Sequence, residues 1–329
     1  MKRHPRPNHL RRALSVPAAA ALAVALLGPC TTAHAQLTFT PTFDSTITSD
    51  PNGAAIQAVI NQALLIYQST FTNPINVKIT FGEMTSGLGQ SSTFFFNNIG
   101  YGAFRTALVA GATSADDLSS LVSVPNTVNN PLTGTPTINV KTANAHALGL
   151  GLGYTGTDST ITLNTHLTDV GSAGTTGQYS LRVVTQHEVD EALGLGSSLA
   201  GIPANNPFPE DLFRYSSLGT RSFSTATSPQ PYLSFDGGLT SAVQYNTNGG
   251  GDYGDYNGVG GPRVQDAFAT VGATPVLGVE LRALDVIGYT RSAVSPVPEP
   301  GVLTLGSITA VAFAFGVWRK SRGAGRASA

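Results

Sequence analysis

His187, Glu188 and Glu191 are the residues whose types and spacing could do chemistry, and they lie within residues 180–198, SLRVVTQHEVDEALGLGSS. At 3.6 residues per turn, a helix through this stretch puts Val183, Val184, His187, Glu191, Gly194 and Leu195 on one face. Arg182, Gln186, Val189, Asp190 and Leu193 fall largely opposite. Read as the inward stripe, the first face carries an imidazole and a carboxylate one turn apart. Burying an unpaired carboxylate is costly or forces it neutral, so the pair calls for a partner, and a metal ion is the simplest one. The alternative is a His187–Glu191 hydrogen bond under a loop. Glu188 projects at the edge of the same face, where it could reach a water held by such an ion.

The housing for this helix follows from composition. With 329 residues, 41% hydrophobic and 11% charged, the chain can bury a sizeable core as one large domain or two small ones. A net charge of −1 makes no electrostatic case for nucleic acid. Residues 1–35 read as a secretory leader: Lys2, Arg3, Arg6, Arg11 and Arg12 start it, residues 13–27 are apolar, and Ala33-His34-Ala35 offers a cleavage site. The single cysteine, Cys30, lies in that segment, so no disulfide and no cysteine ligand is expected in residues 36–291.

Within residues 36–291 the pattern predicts strands over 37–43, 76–81, 137–140 and 160–163, from alternating apolar residues. Helices are expected over 54–67, 103–110 and 116–122. The first is capped by Asp50 with Pro51 behind it, and Ile56, Val59, Ile60, Ala63 and Ile66 form its inner side. A Gly-rich turn covers 149–156, and 283–289 reads as a closing amphipathic helix. The order strand, helix, strands and then the motif helix predicts an α+β domain rather than a doubly wound one.

Past the motif, residues 206–216 read NPFPEDLFRYS, acidic and then aromatic and basic. Asp252 and Asp255 sit in a Gly-rich segment that reads as a turn, with calcium binding as the alternative. Residues 292–329 form a separate module. Val297-Pro298-Glu299-Pro300 precedes an uncharged stretch, 301–318, long enough to cross a bilayer, and Arg319, Lys320 and Arg322 follow it. The positive-inside rule leaves those cations in the cytoplasm and the main domain outside.

The stretch His187-Glu188-Val189-Asp190-Glu191 resembles the zincin motif H-E-x-x-H, with Glu191 at the second ligand position. H-E-x-x-E-x-x-G, followed by D-L-F-R-Y-S, S-F-D-G-G, G-D-Y-G-D and L-D-V-I-G-Y, is similar to a family of secreted bacterial zinc metalloproteases that often end in a PEP-CTERM sorting tail. The resemblance covers residues 183–289 and the tail. It implies a zincin/metzincin-like α+β fold and an exported, zinc-dependent endopeptidase. His187 and Glu191 would hold Zn²⁺, and Glu188 would act as general base. Ser197 stands where metzincins place a third His, and no Met follows Met84 to form a Met-turn. The third ligand must come from elsewhere. Asp211, twenty residues after Glu191, lies at about the gluzincin offset and is the first candidate, ahead of Glu210 and His166. Asp211 could instead cap a helix or pair with Arg214. Tyr215 is the candidate transition-state stabiliser, against the commoner role of a buried, hydrogen-bonded Tyr. The tail implies an exosortase partner and membrane anchoring before processing. Two other readings are a catalytically degenerate cell-surface binding protein and metal-assisted hydrolysis of a non-peptide bond.

Overall fold

Alternation of apolar residues builds the central sheet. In the computed structural model, which describes residues 36–170, 177–199 and 206–292, β1 (Thr38–Phe43), β2 (Asn76–Glu83) and β6 (Ser159–Leu163) run parallel. β3 (Gly89–Thr93) adds antiparallel to β6, giving the order β1-β2-β6-β3 with β3 at the edge. Val77, Ile79 and Phe81 alternate inward along β2 and are fully buried or nearly so. Between β1 and β2 the chain forms a single turn, α1 (Ser45–Thr48), and the long α2 (Gly53–Thr70). After β3 come β4 (Phe95–Gly100), α3 (Tyr101–Gly111), α4 (Ala115–Leu121), β5 (Thr137–Lys141) and α5 (Thr142–Ala147), with β4 and β5 paired antiparallel. The bridge β7 (Thr168–Asp169) with β8 (Tyr179–Ser180) leads into α6 (Leu181–Leu193).

The rest is loop-rich. A 3-10 turn, Pro209–Phe213, opens a small antiparallel sheet of β9 (Arg214–Ser217), β10 (Thr220–Arg221), β11 (Tyr232–Leu233) and β12 (Val243–Gln244), and α7 (Val279–Val286) follows. The architecture is mixed α+β, as expected. The leader and the 301–318 stretch lie outside the described residues. Among the described residues no helix is long and apolar enough to cross a membrane.

Several expectations need correction. β3, β4 and α5 were not anticipated from the pattern: β3 reads Gly-Gln-Ser-Ser-Thr and offers no apolar alternation. α2 begins two residues beyond Pro51; the Asp50 carboxylate accepts from the Asn52 N–H at 2.6 Å in a turn that precedes the helix. Ile66 is exposed, and Leu64 and Tyr67 complete the inner face with Ile56, Val59, Ile60 and Ala63. The closing helix lies earlier than 283–289, because Gly288 at φ 121° cannot extend it.

α6 itself is oriented opposite to the simplest reading of its faces. Val189, Asp190 and Leu193 are wholly buried, whereas His187 and Glu191 are the half-buried residues that open onto a cleft. Each large aliphatic on the buried side contributes about 1.5–3 kcal/mol. Tyr67 of α2 donates to Asp190 Oδ1 at 2.8 Å, Oδ2 has no hydrogen-bond partner among the described residues, and burial pushes the carboxyl's pKa up, favouring its neutral form. Leu195, just past the helix, is also fully buried, and the Tyr289 hydroxyl donates to the Leu193 carbonyl at 2.7 Å. The helix is thus fixed at its middle by α2 and at its end by the segment after α7.

Candidate metal centre

His187 and Glu191, one turn apart on α6, meet a third group from a distant loop. His187 Nε2 lies 3.9 Å from Glu191 Oε1 and 3.8 Å from Asp255 Oδ2. One donor atom from each of the three residues lies within 4.8 Å of the others. Asp255 is carried by the segment between β12 and α7. A Cβ on Gly254 would lie 2.5 Å from Gly196 Cα and 2.6 Å from Ser197 N, so only glycine lets this loop dock on the turn after α6. The group lines a cleft of about 500 Å³ bounded by β3, α6 and the 250–255 and 264–269 segments.

The donor set is one that could hold a cation. His187 Nδ1 lies 3.0 Å from the Val264 carbonyl, which suits Nδ1–H and leaves Nε2 facing the two carboxylates. Asp255 Oδ1 accepts from Gln265 Nε2 at 2.9 Å, leaving Oδ2 toward His187. Glu191 Oε2 accepts from Ser91 of β3 at 2.5 Å. The contacts of 3.8–3.9 Å are about half an ångström wider than the ~3.3 Å between neighbours in a tetrahedron with ligands at about 2.0–2.1 Å. Burial opposes a charged imidazole, yet Asp255, Glu188 and Glu191 outweigh it and push the His187 pKa up to about 10. The pocket therefore favours a positive charge where a metal ion would sit, and the residues present fit one.

Glu188 stands beside this group without belonging to it. Its carboxylate has no hydrogen-bond partner among the described residues, and it lines the cleft with Val183, Val184 and the 87–91 segment. Burial first, and the Glu191 charge second, raise its pKa to about 8. A Cβ on Gly89 would lie 2.4 Å from Glu188 Oε1 and 2.9 Å from Val184 Cγ1, so a side chain there would displace the Glu188 carboxylate or press β3 away from the helix. At the far end of α6, Lys141 Nζ donates to the carbonyls of Glu191 at 2.7 Å and Leu195 at 2.6 Å. It satisfies carbonyls the helix end would otherwise leave open.

Of the acidic candidates for third ligand, Asp211 is not brought to the centre. Its carboxylate accepts from Ser197 Oγ at 2.6 Å, Ser198 N at 3.2 Å and Phe208 N at 2.9 Å. It closes the 3-10 turn and ties it to the loop after α6, a capping role. Ser197, at the metzincin third-His position, is its partner. Glu210 is buried and accepts from Gly196 N at 2.5 Å and the Tyr245 hydroxyl at 3.0 Å. His166 is exposed and outside the group. Tyr215 does not line the cleft: it is fully buried, and its hydroxyl donates to Ser123 Oγ at 2.9 Å. Asp255 replaces Asp211 as the third group. Its only sequence signal was a carboxylate in a Gly-rich loop, where it reads as a turn or a calcium ligand. Asp252, its companion in that reading, is exposed at the cleft wall and outside the group.

Comparison with protein-family models, with curated proteins and with solved structures finds no match to this chain.

Proposed function

We propose that this protein is an exported zinc-dependent endopeptidase of zincin type, with His187, Glu191 and Asp255 as ligands and Glu188 as general base. The observation that carries the reading is the convergence of these four residues at one wall of an open cleft. The helix bearing H-E-x-x-E packs against the edge strand β3, which runs antiparallel to β6. Zinc, when bound, supplies Lewis-acid polarisation of a carbonyl and acidification of water.

The chain's own residues do the rest. Glu188, ionised, takes a proton from the attacking water and returns it to the leaving amine; its raised pKa makes it a stronger base than an ordinary carboxylate. Among the described residues β3 pairs with β6 alone, and an extended peptide added along its other edge would lie beside Glu188 and Glu191. The leader and the 292–329 tail support export, with an exosortase and the membrane as partners before processing.

The test is metal analysis of the purified protein, followed by casein digestion with and without a chelator. Zinc at one equivalent and chelator-sensitive cleavage are expected. Glu188→Gln should keep the metal and lose activity by ~10²-fold or more. Bound zinc with no hydrolysis would favour a degenerate cell-surface binding module, and no metal at all would sink the enzyme reading.

A further inference from the structure

Two buried side chains behind the cleft wall hold the candidate ligands from two sides. Glu280, in the first turn of α7, is 1% exposed, and its carboxylate accepts from three backbone N–H groups. These are Val264 at 3.1 Å and Gln265 at 3.3 Å, both to Oε1, and Gly278 at 2.8 Å to Oε2. The two residues pinned by Oε1 are the ones that reach the centre. The Val264 carbonyl meets His187 Nδ1 at 3.0 Å, and Gln265 Nε2 donates to Asp255 Oδ1 at 2.9 Å. Gln265 is itself fully buried. One carboxylate therefore fixes the backbone from which both a helix-borne and a loop-borne ligand are oriented, although those ligands lie far apart in sequence.

We propose that Glu280 and Gln265 are positioning residues that preset His187 and Asp255 for a metal ion, making α7 part of the centre's support. This rests on the metal reading above. A buried carboxylate that accepts three backbone N–H bonds is fully engaged, and removing it orphans those donors, so the 264–265 segment must move. Movement there rotates the His187 ring and frees Asp255 Oδ1 together. Outer partners of this kind set ligand orientation, and losing one weakens metal affinity by ~10–100-fold.

The experiment measures zinc affinity of the full chain by competition with a chromophoric chelator, for the wild type, Glu280→Ala, Glu280→Gln and Gln265→Leu. Circular dichroism checks folding, and ¹H–¹⁵N spectra of the metal-free protein follow the His187 Nδ1–H that meets the Val264 carbonyl. Glu280→Ala and Gln265→Leu should bind zinc ~10–100-fold more weakly, while Glu280→Gln, which keeps the Oε1 acceptor, stays near the wild type. The Nδ1–H resonance should persist in the wild type and Glu280→Gln and be lost in Glu280→Ala. Should Glu280→Ala fail to fold, Gln265→Leu and Glu280→Gln decide the matter. Folded variants with wild-type zinc affinity, or Glu280→Gln as weak as Gln265→Leu, would overturn the proposal. A wild type that binds no zinc sinks the metal reading instead; the Nδ1–H resonance then still supports the preset if lost on Glu280→Ala and overturns it if unchanged.

Discussion

Asp255 and Asp211 are both buried aspartates within the same half of the chain, and their surroundings give them opposite roles. Asp211 accepts from Ser197, Ser198 and Phe208 and lies outside the group around His187. Asp255 has one oxygen tied by Gln265 and the other free toward His187. Asp255→Ala should therefore abolish stoichiometric zinc binding while the protein stays folded. Asp211→Ala should keep the metal yet lose about 1–3 kcal/mol of stability, the cost of leaving buried donors unpaired. Zinc titration and urea unfolding of the two variants distinguish the roles. The assignment fails if Asp211→Ala loses zinc while Asp255→Ala retains it.

At the scale of elements, the decisive contact is between β3 and α6. The strand lies against the helix through Gly89 and Ser91, alternate residues of one face, which meet Glu188 and Glu191 respectively. A methyl at position 89 would have to displace the Glu188 carboxylate or push the strand away. Gly89→Ala should keep zinc, because no ligand is touched, and lower kcat/KM by ~10-fold or more through a misplaced base. Wild-type turnover in a zinc-loaded Gly89→Ala protein would show that Glu188 need not sit where β3 confines it. Lys141 works on the same helix from its other end, holding the Glu191 and Leu195 carbonyls so that the ligand-bearing turn cannot fray.

Over the whole molecule, buried carboxylates set how stability responds to pH. Burial, only partly offset by bonds from Gly196 and Tyr245, raises Glu210 from 4.5 to about 8. Burial likewise raises Asp285 from 3.8 to about 6. The folded state then binds more protons than the unfolded one across these windows, so stability falls as pH rises. The Glu210 contribution is complete below pH 4.5 and is lost as pH climbs through about 8. Chemical unfolding at pH 5 and pH 8.5 should show a decline on the order of a few kcal/mol in the wild type and a shallower one in Glu210→Gln. Identical slopes in the two proteins would remove Glu210 from this role.

Helix α6, its pairing of His187 with Glu191, and the placement of Glu188 beside them were legible in the chain itself, because residues four apart share a helix face whatever surrounds them. The α2 helix and the strands around Val77 and Ile161 were legible for the same local reason, as periodic apolar residues. Which face of α6 meets the core was not: the buried Asp190 takes its hydrogen bond from Tyr67, and that partner lies 123 residues away. β3 gives no apolar signal, since its inner face needs small residues to fit against Glu188 and Glu191. The third group was decided by tertiary structure alone. Asp211 has the more suggestive spacing, yet local hydrogen bonds claim it. Asp255 reaches the centre because Gly254 lets its loop dock on the turn after α6 and Gln265 turns its carboxylate inward. Spacing along a helix is a property of the backbone's own geometry, whereas a ligand delivered by a loop depends on packing that no short stretch of sequence contains.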